Sequence, residues 1–114
     1  MKFPQGVRFP VWEIRHIVDG DTFDARIDQG FRNQTVQRFR LKGIDTPERK
    51  KPGFKEAKEF TREWLSADPE TYGIETYGYD QWLRWICLPF NSEGRSLVED
   101  LLSLGLAVPW EKKT

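Results

Sequence analysis

The sequence predicts mainly β structure with helices (α+β): a five-stranded OB-type β-barrel with two packed helices, in a single domain over residues 1–114. Strand-like segments bounded by turn residues alternate with two helical patterns, in the order three strands, helix, two strands, helix. The chain is 38% hydrophobic and 14% aromatic, enough for one modest core. Because a sandwich needs more strands, closure into a small barrel is the economical solution.

Three strands are predicted in the first half of the chain. Residues 7–18 are extended, and Asp19-Gly20 is a tight-turn signal before a second strand at 22–27. Residues 28–35 are predicted to form a hairpin loop, and 36–44 a third strand. These segments supply one antiparallel meander.

The second half of the chain contains both predicted helices. Residues 54–67 carry apolar side chains at spacings of three and four, which predicts an amphipathic helix. Residues 71–77 and 83–88 are β-rich and predict two further strands. The second helix starts at a capping box, Ser96 to Glu99, and Gly105 is its expected C-terminal stop.

Composition excludes several classes of protein. The chain has one cysteine, which rules out an internal disulfide and a cysteine-based zinc cage. Its apolar runs are too short to span a membrane, and residues 1–6 do not resemble a signal peptide, so an intracellular, cytoplasmic protein is expected. Net charge is zero, but residues 31–62 carry ten Lys/Arg against four Asp/Glu. This basic segment could meet phosphates or form a solvated helix face.

Two distant carboxylates are predicted to meet at one end of the first hairpin. If the second and third strands pair antiparallel, partner numbers sum to about 65, which places Asp21 opposite residues 43–45. Asp45 lies there, at the end of the third strand. Neighbouring carboxylates repel unless a positive group joins them, and a hard divalent cation with oxygen ligands does so.

The residues after Asp45 add oxygen donors. Thr46 precedes Pro47 and is biased to an extended conformation, which could leave its carbonyl outside regular pairing. Glu48 follows within reach of the same place. Taken singly, Asp19 could be a turn residue and Asp45 a strand-end cap. The combination of carboxylates, carbonyl and glutamate favours a cation site.

Two motifs in this region carry a family resemblance. Val18-Asp-Gly-Asp-Thr-Phe23 and Arg40-Leu-Lys-Gly-Ile-Asp-Thr-Pro-Glu48 resemble the paired signatures of staphylococcal-nuclease-like (thermonuclease) domains, in the order that family uses. Residues 53–65 and 96–107 look like the family's helices, so the resemblance covers nearly the whole chain. The ending through residues 108–110 is similar to short bacterial and phage members.

The resemblance implies a calcium site. Asp21, Asp45 and the Thr46 carbonyl would hold Ca²⁺, and Asp19 would lie beside the metal through a water molecule. Oxygen ligands of this kind are those that calcium prefers.

The resemblance also implies catalytic roles. Glu48 would act as the general base on the attacking water, and Arg40 would bind the phosphate. A phosphodiester transition state gathers negative charge on its oxygens, which a metal ion and guanidinium groups stabilise. An arginine fits this task because its planar fork bonds two oxygens at once.

A second catalytic arginine is implied where the family has Asp, one residue, then aromatic-Gly-Arg. Asp80-Gln-Trp-Leu-Arg84 fits that frame, with Leu83 in the glycine slot and Arg84 as the cation. A rival alignment starts at Tyr77-Gly78 and puts Tyr79 in the arginine slot. Glycine at 83 would permit conformations that leucine resists, so the sequence leaves the backbone path there open.

Four other residues have chemistry of their own. His16 has no metal-ligand partner at a telling spacing and is predicted to be a strand residue. Cys87 lies in an apolar strand, which favours a buried, inert thiol. Trp82 and Trp85 could stack on nucleobases, although barrel packing is expected for at least one of them.

Two functions are consistent with these residues. The first is a calcium-dependent nuclease that hydrolyses phosphodiesters of DNA or RNA. The alternative is a catalytically impaired module of the same fold that binds nucleic acid or a protein partner. The candidate catalytic residues favour the enzyme, and the missing glycine at 83 favours the module.

Overall fold

The computed structural model describes residues 7–67 and 73–110. In chain order the elements are β1 (Val7–Asp19), β2 (Thr22–Gly30), β3 (Asn33–Leu41), β4 (Ile44–Asp45), α1 (Phe54–Ser66), β5 (Gly73–Tyr79), β6 (Trp85–Phe90), α2 (Leu97–Ser103) and β7 (Val108–Pro109). Five strands close a barrel in the spatial order β1-β2-β3-β6-β5, and β4 pairs with β7 outside it. The predicted α+β barrel with two helices is confirmed.

The hairpin of β2 and β3 is longer than predicted. Its strands continue to Gly30 and resume at Asn33, so the turn has two residues and the expected loop at 28–35 was wrong. Phe31 and Arg32 form the turn with φ of 55° and 65°. Two successive left-handed residues make a tight turn whose twist matches that of the flanking strands. Because two residues are enough to connect the strands, residues 28–30 and 33–35 are free to pair as strand.

The predicted third strand, 36–44, is divided by a turn. Leu41 ends β3, the chain turns at Lys42-Gly43 with the Gly43 φ at 76°, and Ile44 begins β4. Ile44 and Asp45 then pair with Pro109 and Val108 of β7. This two-stranded sheet was missed, because elements of two residues carry no period that a sequence pattern can reveal.

The last two barrel strands lie two residues later than predicted. Residues 71–77 and 83–88 were expected, and the strands are Gly73–Tyr79 and Trp85–Phe90. Residues 71 and 72 of the first prediction lie outside the described part of the chain. β6 pairs parallel with β3 through Phe39, Arg40 and Leu41, and antiparallel with β5, which closes the barrel.

Both helices start and end close to the predicted residues. α1 ends at Ser66 with Ala67 as its C-cap, and it buries Ala57, Thr61 and Leu65. The Ser96 side chain caps α2 by accepting a hydrogen bond from the Glu99 N–H at 3.0 Å. After α2, Gly105 has a φ of 72°, and the N–H groups of 105 and 106 return to the carbonyls of 102 and 101. This is a Schellman C-cap.

The core lies inside the barrel and under the two helices. Its buried members are Val11, Ile17, Phe23, Ala25, Ile27, Phe39, Leu41, Ile44, Leu65, Ile74, Cys87, Leu97, Leu101 and Ala107. They alternate along the strands with outward residues, as expected for a barrel. Neither helix in the described ranges has the length and apolarity needed to cross a membrane.

Candidate active site

The turn from β1 to β2 holds two carboxylates close to α1. The Asp19 Oδ1 atom accepts a hydrogen bond from the Asp21 N–H at 3.1 Å, so Asp19 is the turn residue that its sequence suggests. Between them, a Cβ on Gly20 would lie 2.8 Å from the Ala57 Cβ and 2.9 Å from a Thr46 methyl. Glycine at position 20 therefore lets the turn approach α1 and the chain after β4.

The Asp21 carboxylate is buried, and each of its two oxygens accepts a hydrogen bond. Its Oδ1 accepts a hydrogen bond from the Thr22 hydroxyl at 3.0 Å, and its Oδ2 accepts one from the Thr46 N–H, also at 3.0 Å. Burial of a carboxylate is costly unless its oxygens are bonded, and these donors provide the compensation. The contact with Thr46 joins the first motif to the second.

The predicted register was wrong by three, yet the two motifs meet. Thr22 pairs with Arg40, so partner numbers sum to 62 and Asp21 lies opposite Leu41, whose N–H donates to the Asp21 carbonyl at 2.8 Å. The turn after Leu41 then carries Asp45 and Thr46 back toward Asp21. The convergence therefore comes from the turn into β4 and not from a continuous third strand.

Arg40 lies between the two carboxylates. Its guanidinium is 3.2 Å from the Asp21 Oδ2 and 2.5 Å from the Asp45 Oδ1. The Arg40 side chain is only 12% exposed, whereas that of Asp45 is 46% exposed. The positive group expected to join this pair is therefore supplied by the protein itself.

The pKa values of the two aspartates in the turn are shifted in opposite directions. Burial, reinforced by the neighbouring Asp21, raises the pKa of Asp19 to about 6. Burial alone would raise the pKa of Asp21 too, but its hydrogen bond with Asp19, the Arg40 charge and the Thr46 N–H hold it below its ordinary value. Asp21 thus keeps its negative charge while Asp19 takes the proton more readily.

The donor set has the chemistry of a calcium site, although its members are arranged around a guanidinium. In residues 7–67 and 73–110, no group of three or more His, Cys, Asp or Glu side chains is positioned to hold a metal. The carboxylates of Asp21 and Asp45 nevertheless share one guanidinium, with Asp19 bonded to the Asp21 N–H beside them. The Thr46 hydroxyl is buried with no hydrogen-bond partner in the described chain. One unsatisfied hydroxyl oxygen and a surplus of negative charge suit a hard cation.

Glu48 follows the carboxylate cluster in an exposed loop. It is exposed in the loop after Pro47, and its carbonyl accepts a hydrogen bond from the Lys51 N–H at 2.9 Å. Its carboxylate forms no hydrogen bond or ion pair with another described residue. Glu48 is the last residue of the second motif, and no contact with another described side chain fixes its carboxylate.

Arg84 is held by Asp80 in the turn that precedes β6. The Asp80 carboxylate accepts hydrogen bonds from the Arg84 Nε at 2.8 Å and from its backbone N–H at 3.0 Å. The guanidinium also lies 5.3 Å from the centre of the Trp82 ring. The motif spacing therefore encodes an aspartate that positions the arginine, a partnership that sequence reasoning had missed.

Leu83 adopts the conformation that glycine would favour. Its φ is 62°, and its side chain is 72% exposed. The turn from Asp80 to Arg84 therefore forms with leucine at position 83, and the backbone path that the sequence left open is the one that glycine would favour. In the rival alignment Gly78 also has a positive φ, 95°, but the following Tyr79 supplies no cation.

Arginines share the outer face of β3 and its neighbours. Arg38 and Arg40 alternate with Phe39 and Leu41, which point into the core, so the two arginines point outward. Arg38 forms a two-pronged ion pair with Asp24 at 2.8 and 3.0 Å. A surface cleft lined by Arg38, Trp82 and Arg84 continues this face. Arg38 was not singled out by motif, although its outward position follows from strand alternation.

The remaining candidates fall where the sequence placed them. His16 is an exposed strand residue opposite Asp24. Cys87 is fully buried, and burial raises the pKa of its thiol, which makes it inert. Trp85 packs against the core, whereas Trp82 is 67% exposed and remains available to a ligand.

Comparison of this chain with models of known protein families gives no match, and comparison with curated proteins gives none. The resemblance of the two motifs to staphylococcal-nuclease-like domains therefore rests on the residues themselves.

Proposed function

We propose that the protein is a calcium-dependent nuclease that hydrolyses phosphodiester bonds of DNA or RNA. The observation that carries the proposal is the convergence of both motifs: the Asp21 carboxylate contacts the Arg40 guanidinium at 3.2 Å and the Thr46 N–H at 3.0 Å. Residues 25 apart in sequence meet in a buried polar cluster that packing alone does not require.

The calcium ion would be held by Asp21, Asp45 and the Thr46 carbonyl, with Asp19 linked through water. Bound there, it would supply electrophilic stabilisation of the charge that develops on the phosphoryl oxygens. The surplus of carboxylates over guanidinium groups in the cluster supports this assignment.

The chain's own residues would divide the remaining work. Arg40, between the Asp21 and Asp45 carboxylates, would bind a nonbridging phosphate oxygen, and Arg84 would approach the same phosphate from the neighbouring turn. Exposed Glu48 would accept the proton of the attacking water. Trp82, beside Arg84, offers a surface on which a base can stack.

The deciding experiment is a single-turnover cleavage assay on single-stranded DNA and RNA, with calcium or with chelator. Arg84→Ala should slow the chemical step by about a thousand-fold, since a catalytic arginine in phosphoryl transfer is worth that much or more. Arg38→Ala is the matched control: it removes the same charge from the same face and should weaken substrate binding with little change in the chemical step. Equal effects of the two variants would contradict the role of Arg84.

Glu48→Gln tests the base separately. The amide keeps the shape of the side chain and lacks the basic oxygen, so cleavage should fall while calcium binding persists. A Glu48→Gln protein that cuts as fast as wild type would remove Glu48 from the mechanism.

A nucleic-acid-binding module is the second candidate, because both candidate cations already have partners. Arg40 contacts Asp21 and Asp45, and Arg84 contacts Asp80. If these pairs persist when nucleic acid binds, affinity without turnover results. Binding that weakens with salt, together with no cleavage in calcium, would favour the module.

A further inference from the structure

A second cavity lies at the open end of the barrel, away from the carboxylate cluster. β6 pairs with β3 through residues 39–41, and the rest of the β2–β3 hairpin, from residue 33 to 38, extends past that pairing. The resulting cleft has a volume of about 180 Å³. That is smaller than a pocket for a drug-sized ligand and suits a single planar ring system.

The walls of this barrel-end cleft are aromatic. Phe9 of β1, Phe39 of β3 and Trp85 of β6 line it, with Ile27 of β2. Phe39 is 1% exposed and stacks on Phe23 of the core, so the cleft is backed by rigid packing. Aromatic walls on a rigid base favour a flat ligand that presents its faces to them.

One edge of the cleft is polar and fixed in orientation. The Gln37 Oε1 accepts a hydrogen bond from the Trp85 indole N–H at 3.2 Å, and the Gln37 Nε2 donates to the Thr35 hydroxyl at 2.8 Å. A primary amide has two donor hydrogens and two acceptor lone pairs. Among the described residues, these two bonds use one donor and one acceptor of Gln37, and they hold the amide in place from both ends. The amide has one further donor and one further acceptor for a ligand.

We propose that the barrel-end cleft binds one unstacked nucleobase of a single-stranded nucleic acid, with Gln37 bonding the polar edge of the base between aromatic walls. Every base carries neighbouring donor and acceptor atoms on its pairing edge, and a glutamine amide can bond such a pair. A purely apolar ligand, such as a leucine side chain, would make no use of the second donor and second acceptor of the Gln37 amide.

The position of the cleft relates it to the candidate active site. Gln37 and Arg40 are three residues apart on β3, about 10 Å along the strand. Gln37 faces the barrel interior with Phe39, whereas Arg40 faces outward. The base in the cleft would therefore belong to a nucleotide other than the one whose phosphate meets Arg40. The inference rests on the proposed function insofar as nucleic acid is the ligand, and it adds a subsite that fixes the strand by a base.

Two eight-nucleotide single-stranded probes separate base binding from phosphate binding. One is an adenine oligodeoxynucleotide, and the other has the same sugar–phosphate backbone without bases. Affinities are measured by fluorescence anisotropy in chelator, where no cleavage occurs. Wild-type protein should bind the base-bearing probe at least about fivefold more tightly, since stacking one base is worth about 1–3 kcal/mol. Equal affinities would overturn the inference.

Glutamine variants on opposite faces of β3 supply the matched controls. Gln37→Glu keeps the acceptor for the Trp85 indole and removes the amide donor, and Gln34→Glu adds the same charge on the exposed opposite face. We expect Gln37→Glu to weaken binding of the base-bearing probe five- to tenfold beyond Gln34→Glu, with the two variants equal on the abasic probe. Equal losses on both probes would contradict a base contact.

The Trp85 indole N–H resonance in a heteronuclear NMR spectrum locates the ligand directly. It should shift with the base-bearing probe and not with the abasic one. Anisotropy that shows binding while this resonance stays unmoved overturns the cleft assignment and leaves the proposed function standing. Failure to bind either probe, together with no cleavage in calcium, overturns the proposed function and the inference with it.

Discussion

Leu83 adopts a φ of 62° in the turn before β6 with its side chain 72% exposed, so the strain of a left-handed leucine is not offset by buried contacts. Leu83→Gly should therefore raise the free energy of unfolding by about 0.5–1 kcal/mol. Glycine adopts a positive φ without strain, and the greater entropy of glycine in the unfolded chain cancels only part of that stabilisation. Urea unfolding would measure the change.

Leu83→Ala separates backbone strain from side-chain loss. Alanine keeps the Cβ that disfavours a positive φ, so this variant should match wild type or fall slightly below it. If glycine and alanine gave the same stability, strain at residue 83 would not be the cause. The Arg84 guanidinium is held by Asp80 in either case, so we expect the turn to persist.

Residue identities in the candidate site could be predicted, but their bonding could not. Motif spacing brought Asp21, Asp45 and Thr46 into one cluster even though the assumed register was wrong by three. The bridge formed by Arg40 was not foreseeable, because the outward direction of a strand residue does not reveal which carboxylate its long side chain reaches. The role of Asp80 was missed because the conformation of the turn, which brings its carboxylate to Arg84, was left open by Leu83.

At the level of elements, α1 packs directly against the turn between β1 and β2. The Thr61 hydroxyl donates to the Gly20 carbonyl at 2.6 Å, and a Cβ on Gly20 would lie 2.8 Å from the Ala57 Cβ. Gly20→Ala should thus cost about 1–3 kcal/mol of stability, as overpacking does, and should lower calcium affinity by shifting Asp19 and Asp21. Urea unfolding and calcium titration are the measurements.

Ala57→Gly provides the suppressor for that variant. It removes the methyl group that would clash with the new Cβ of Gly20→Ala. By itself it should lower stability by about 1 kcal/mol, the cost of a glycine inside a helix. The double variant should be less destabilised than the sum of the two single variants, because the two sites share one contact. Strict additivity would show that the strain of Gly20→Ala arises elsewhere.

Asp100 links α2 to α1, and its ionisation makes the free energy of unfolding depend on pH at acidic pH. Its carboxylate accepts hydrogen bonds from the Trp64 indole and the Arg95 guanidinium, which outweigh burial and hold its pKa below the ordinary 3.8. This stabilisation is present above pH 3.8 and is lost as pH falls through the lower folded pKa. Asp100→Asn should remove about 1 kcal/mol at pH 7 and less at pH 3.

Glu99→Gln is the control for Asp100→Asn. Glu99 is the exposed neighbouring carboxylate in the same helical turn, so its loss should change stability little at either pH. Urea unfolding at pH 7 and pH 3 measures both variants. An Asp100→Asn effect that is the same at both pH values would contradict a link through ionisation.

Elements were predictable where a period or a cap marked them. The Ser96 cap, the Gly105 stop and the amphipathic face of α1 all follow from local chemistry. The two-residue turn at Phe31-Arg32 was not predictable, because neither residue favours the left-handed region that both adopt. The error of three in the register arose because the third strand was extended to residue 44, whereas β3 ends at Leu41.

On the scale of the whole molecule, Cys87 reports the opening of the barrel. It is fully buried in β6, paired with Leu41 of β3 on one side and with Thr76 of β5 on the other. A thiol reagent should reach it only when these strands separate, and burial keeps it protonated in the folded state. Its labelling rate then measures the population of the unfolded chain.

Calcium should slow this labelling if it binds only the folded barrel. At a calcium concentration 100 times Kd, mass action predicts a rate about 100-fold lower. Asp45→Asn, whose side chain is 46% exposed and so tolerates exchange, should label at a rate that calcium does not change. Without calcium, the free energy of opening from the labelling rate should equal the free energy of unfolding in urea, which would establish that labelling follows global unfolding. With that agreement, an identical labelling rate of wild type in calcium and in chelator would contradict the metal site, because a ligand that binds only the folded state must suppress unfolding.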